Sequence, residues 1–106
     1  MIDNRIRELL KERKSIHSED YDRIEKCCVQ EIELLSENLK DTIDFISNRC
    51  TGDEFVWLSE VFEEVQEKTQ SDALRECLYA TAEKYPKETK EYSILEFISD
   101  PEEIDE

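Results

Sequence analysis

Carboxylates apart, the side chains that most often bind metals or move protons are few in this sequence: one histidine, His17, and four cysteines, Cys27, Cys28, Cys50 and Cys77. His17 lies in a polar stretch and reads as a solvated surface residue. A lone histidine excludes the paired Glu-x-x-His ligands of di-iron bundles and any multi-histidine zinc site. Cys27 and Cys28 are adjacent, which is not a chelating spacing, and Cys50 and Cys77 stand alone. The four read as small buried or half-buried thiols of a reduced protein, with metal ligation or a disulfide as the alternative. Gly52 is the only glycine, so neither a phosphate-cradling loop nor a calcium loop can be built. Glu63 and Glu64 project about 100° apart on a helix and do not form an acid/base pair. Asp100, Glu102 and Glu103 offer no more than a weak divalent-ion site. The expectation is a protein with no catalytic residues, no cofactor and no metal.

The carboxylates matter instead as charge. The chain of 106 residues has 29 acidic and 14 basic side chains, a net charge of −15. Residues 1–26 hold seven basic and seven acidic groups, so the whole imbalance lies in 27–106, and no basic residue follows Lys90. Such a surface repels nucleic acid and anionic lipid and attracts cationic partners. No run of eighteen apolar residues exists to span a bilayer. The N-terminus has no apolar signal core, so a cytoplasmic location is expected. Nine aromatic residues and strong periodicity argue for a folded domain over 1–106 rather than a disordered acidic chain.

With one glycine and two prolines, an all-β fold lacks its turns. Apolar residues recur instead at spacings of three and four. Ile2, Ile6, Leu9 and Leu10 predict a first helix, with a break at Ser15 to Ser18. Tyr21, Ile24, Cys28, Ile32, Leu35, Leu39, Ile43 and Ile46 form one stripe, which is either a single long helix or two helices divided by a cap at Ser36. Thr51 with Glu54 is a capping box opening a helix that ends near Lys68. Ser71 caps the next helix, which carries Leu74, Cys77, Leu78 and Tyr85 on one face, and Pro86 stops it or starts a short turn. Ser93 with Glu96 predicts a second capping box, with Ile94, Leu95, Phe97 and Ile98 inward. Residues 99–106 are an acidic tail expected to fray, with Ile104 as a possible anchor. The fold class is all-α: five to six short antiparallel helices, stacked as helical hairpins in two layers.

Residues 53–67, DEFVWLSEVFEEVQE, concentrate the charge: six of fifteen are acidic and none is basic. On a helical wheel Phe55, Leu58, Val61, Phe62 and Val65 span about 120°, a core stripe. Asp53, Glu60, Glu63, Glu64 and Glu67 fall within about 100° on the opposite side. Val56 sits inside that acidic face and Trp57 at its boundary. The acids are not balanced by lysines at i+4, as a face tuned for stability would be. An aromatic among like charges suits an anchor with a steering rim. The competing explanations are a solvated outer face or a second helix layer over Val56 and Trp57.

The stretches CTGDEFVWLSEVFEEVQEKTQ (50–70) and KYPKETKEYSILEFI (84–98) resemble small all-helical immunity proteins of bacterial polymorphic toxin systems, including those of contact-dependent growth inhibition. The resemblance covers roughly residues 39–99. It rests on a Cys-Thr cap before Phe-x-Trp-Leu-Ser-Glu, followed one helix later by Lys-Tyr-Pro. It implies a cytosolic protein that neutralises a cognate toxin C-terminal domain by tight one-to-one binding. It transfers no interface residue by residue.

Together these readings predict a partner-binding surface of Asp53, Val56, Trp57, Glu60, Glu63, Glu64 and Glu67, with Glu96 and Asp100 second. The partner expected is a basic protein, a nuclease toxin domain for choice, and neither nucleic acid nor membrane. A replacement of Glu60 and Glu64 by lysine is expected to slow association and leave thermal stability nearly unchanged. The alternatives are an acidic nucleic-acid mimic that regulates a DNA-binding protein, and a helical adaptor with an incidental acidic surface.

Overall fold

The chain breaks where polar side chains can cap a helix and apolar spacing restarts. The structure, a computed structural model, describes residues 2–98. The expectations for 99–106, Asp100 and Ile104 included, lie outside the described residues. Within them the chain forms seven α-helices and two single turns of 3-10 helix and no strand, so the all-α class is borne out.

Helix α1 (Asp3–Ser15) buries Ile6, Leu9 and Leu10 and carries Arg13 and Lys14 in its last turn, where cations complement the helix dipole. After the predicted break, Asp20 caps α2 (Tyr21–Glu37) by accepting the Arg23 amide at 3.4 Å. The long apolar stripe is two helices, and Asn38 rather than Ser36 divides them. Asn38 has an extended backbone, and its side chain accepts the Asp41 amide at 3.2 Å to start α3 (Leu39–Asn48). Thr42 Oγ1 donates to Leu35 O at 2.8 Å, tying the new helix to the last turn of the old one. The buried line of α2 is Cys27, Glu31 and Leu35, and Tyr21, expected on the stripe, is 73% exposed.

Thr51 and Glu54 form the predicted capping box of α4 (Gly52–Leu58), each side chain bonded to the other's amide. The helix expected to run on to Lys68 is interrupted. A 3-10 turn occupies Ser59–Val61, and α5 (Phe62–Thr69) follows it. Ser59 Oγ donates back to Val56 O, a local bond that competes with the regular helix and bends it. The core stripe survives: Phe55, Leu58, Val61, Phe62 and Val65 are all buried, and the Phe55 and Phe62 rings lie 5.3 Å apart. Burying each such side chain contributes about 1.5–3 kcal/mol before entropy.

Ser71 caps α6 (Asp72–Lys84) as predicted, and Pro86 opens α7 (Pro86–Glu91) at its first position, where the missing amide costs nothing. Tyr85 Oη donates to Cys50 O at 2.6 Å, and Thr89 Oγ1 to Ala82 O at 3.0 Å. The second predicted capping box is absent. Ser93 adopts a left-handed φ of 52° and makes no cap bond, and only a 3-10 turn, Ile94–Phe97, follows. Ile94 and Ile98 point inward, Phe97 is half-buried, and Leu95 is 52% exposed. In the packing, α2 lies against α1, α3 and α5, α6 against α3 and α7, and α4 against α1 and α7.

Candidate protein-binding surface

A regular helix advances 100° per residue and a 3-10 helix about 120°, so the three-residue turn rotates α5 by about 60° relative to α4. The single acidic face read from the sequence is therefore two surfaces. Asp53, Val56, Trp57 and Glu60 belong to the first, and Glu63, Glu64 and Glu67 to the second.

The first surface is compensated, by α1 rather than by its own helix. Arg13 makes two bonds to the Glu60 carboxylate, Nε to Oε2 at 2.9 Å and Nη2 to Oε1 at 3.0 Å. Lys14 Nζ lies 2.6 Å from Asp53 Oδ2, and Arg7 Nε 2.8 Å from Glu54 Oε2. Trp57 is half-buried under the same two cations, with Arg13 Cζ 5.3 Å and Lys14 Nζ 5.8 Å from its ring centroid. The expectation that this charge stands uncompensated is corrected here. The i+4 rule sees partners on one helix only, and these come from 39 and 47 positions away. Of the second helix layer that competes as an explanation over Val56 and Trp57, the structure places only the Arg13 and Lys14 side chains of α1 over Trp57 among the described residues.

Between α4 and α7 lies an open groove of about 420 Å³, lined by Asp53, Val56, Trp57, Glu60, Glu88, Glu91, Tyr92 and one cation, Lys87. Gly52 keeps α4 close to α7, since a Cβ there would come within 2.9 Å of the Glu88 carboxylate and 3.3 Å of the Tyr85 ring. Tyr92 is 52% exposed at the groove and was not foreseen from sequence. Its position immediately after a six-residue helix gives no periodicity to read.

The second surface is different. Glu63, Glu64 and Glu67 are exposed and take part in no ion pair among the described residues. Lys68 stands four residues after Glu64, yet no ion pair joins the two side chains. Glu96 is also exposed, on a turn held to α5 by Gln66 Nε2 donating to Phe97 O at 2.8 Å. Asp100 lies outside the described residues. His17 is exposed, and its Nδ1 accepts the Glu19 amide. The cysteines are free thiols, Cys27, Cys50 and Cys77 buried and Cys28 half-buried, in line with the first of the two readings above.

One site escaped the sequence entirely. Glu31, in the buried line of α2, is wholly inaccessible to solvent. Its Oε2 accepts only a long contact of 3.8 Å from the Cys27 thiol, and its Oε1 has no hydrogen-bond partner. Burial first, then the nearby Glu60 charge, pushes its carboxyl up to about 7, against the opposing charge of Arg13. Burial and the charges of Glu60 and Glu31 likewise push the Cys28 thiol up to about 11. An oxygen of Glu31, an oxygen of Glu60 and Cys28 Sγ all lie within 4.8 Å of one another.

No protein family, curated protein or solved structure matches this chain.

Proposed function

We propose that this protein is a non-catalytic inhibitor that binds a cationic protein, and that the partner is a toxin domain which it neutralises by occlusion. The observation that carries the reading is the block Glu63, Glu64 and Glu67. It stays exposed and unpaired on a molecule in which Arg7 and Lys14 of α1 are bonded to Glu54 and Asp53 of α4, and Arg13 to Glu60 of the turn that follows. A body tuned only for its own stability would hold those acids in ion pairs, yet even Lys68, at i+4 from Glu64, makes none with them, and self-repulsion at −15 opposes folding. Such a block attracts a basic surface and speeds encounter with it. The groove beside Trp57 and Tyr92 adds aromatic surface, the residue type that anchors interfaces. That the partner is a toxin comes from the resemblance of residues 39–99 to immunity proteins, and a cytosolic site of action goes with it.

The test is capture from a lysate of the source organism at low salt, with elution along a salt gradient and identification by mass spectrometry. The reading expects one basic protein released only at high salt. Several DNA-binding proteins released at moderate salt would point to a nucleic-acid mimic instead, and salt-insensitive binding to an adaptor.

A further inference from the structure

We propose that Cys28, Glu31 and Glu60 form a binding site for a thiophilic divalent cation, Zn²⁺ by its donor set, between α2 and the turn at Ser59–Val61. Cys28 and Glu31 stand three residues apart and so share a face of α2. Glu60 is brought to them by the 3-10 turn, which packs on α2. The three donor atoms already lie within 4.8 Å of one another. Tetrahedral zinc with sulfur and oxygen ligands needs donor separations of about 3.3–3.5 Å, so the cluster must contract by roughly 1 Å. Cys28 and Glu60 are only half-buried, which leaves them room to turn and gives the ion a way in.

The second, independent observation is Glu31 Oε1, an unpartnered oxygen on a side chain with no solvent access. Buried polar atoms in folded proteins almost always have a partner, and this orphan leaves a place that a bound ion would fill. The donor set selects the ion: a thiolate with two carboxylates suits zinc and does not suit calcium or magnesium. The charges also close. One thiolate and two carboxylates give −3, Arg13 supplies +1 and the ion +2, which leaves a neutral site. Arg13 stays as the outer partner of Glu60, which can turn one oxygen to the metal and keep the other on the guanidinium. A water completes the coordination. On binding, the Cys28 S–H bond breaks, sulfur keeps the electron pair for the metal, and the proton leaves to solvent. Any proton held by Glu31 leaves with it. The site shares Glu60 with the groove but none of the block Glu63, Glu64 and Glu67 that carries the partner-binding reading, so neither result decides the other.

The test uses the full chain, reduced and stripped with a chelator, titrated with Co²⁺ and followed by absorption. The expected result is a thiolate-to-cobalt charge-transfer band that saturates at one equivalent and is bleached by one equivalent of Zn²⁺. Cys28→Ser removes the band, Glu31→Gln weakens binding at least about tenfold, and Cys77→Ser leaves both unchanged. No thiolate band in the wild-type protein, or a band that persists in Cys28→Ser, overturns the proposal. The wild-type titration alone is decisive if a variant fails to fold.

Discussion

Replacing Arg13 by methionine should destabilise the protein by about 2–3 kcal/mol, and the cause should be Glu60. The side chain of Arg13 is 16% exposed and that of Glu60 31%, so the pair lies between the two familiar limits. A fully exposed pair contributes 0–1 kcal/mol, and breaking a fully buried one costs about 3–5 kcal/mol. Two short bonds in fork geometry favour the upper half of that range, while partial solvation of Glu60 lowers it. Loss of the cation over Trp57 adds about 0.5–1 kcal/mol. The abandoned Glu60 carboxylate would also face Glu31 without its counter-charge. In a domain of this size the sum lowers Tm by about 10–15 °C. The assay is urea unfolding of the wild type, Arg13→Met, Glu60→Gln and the double variant, in low and in molar salt. A coupling energy of about 1.5–2 kcal/mol that survives salt is expected, because the pair is shielded from screening ions. A coupling below about 0.5 kcal/mol, or one abolished by salt, would refute the reasoning and make the pair an ordinary surface contact. The same geometry revises the expectation that Glu60→Lys with Glu64→Lys is neutral to stability: the lysine at 60 would confront Arg13.

Charge reversal confined to α5, Glu63→Lys with Glu64→Lys and Glu67→Lys, should change unfolding free energy by less than about 0.5 kcal/mol per site while abolishing capture of a basic partner at low salt; thermal melts and the capture itself check both halves. In chelator-treated buffer, Glu31→Gln should gain on the wild type as pH rises from 5 to 8, by up to about 3 kcal/mol, since a carboxyl held at about 7 folded and near 4.5 unfolded favours the native state only while protonated. A wild-type minus variant difference that stays flat across that window would rule this out. The opposite slope belongs to Asp3, lowered by its bond from Arg49, and to Glu54, where bonds from Arg7 and Thr51 outweigh burial. Their contribution is present above about pH 4 and lost as pH falls through their folded values, so stability should peak near pH 5. Asn38→Ala should cost about 1 kcal/mol and Ser36→Ala much less, read from urea midpoints.

What the sequence made legible was local. The Thr51–Glu54 box and the Ser71 cap need only residues three apart, and the stripe from Phe55 to Val65 needs only one helical period. Features that depend on packing were hidden. The turn at Ser59–Val61 arises from a serine bonding back to its own helix, which no hydrophobic pattern records. The pairing of α1 with α4 crosses some forty residues, so a face judged by its own helix looked unbalanced. The buried line of α2 runs through Cys27, Glu31 and Leu35, and a charged residue in it is invisible to an apolar-spacing argument, which follows Cys28 and Ile32 instead. The failed box at Ser93 had the right letters, but its serine took a left-handed backbone.

The measurement that bears most directly on the central claim is growth of cells that express the captured partner together with either the wild-type chain or the Glu63→Lys, Glu64→Lys, Glu67→Lys variant. The account predicts that the partner alone arrests growth, that the wild-type chain restores it, and that the stably folded variant does not. A partner that is harmless when expressed alone, or equal rescue by both chains, would contradict it.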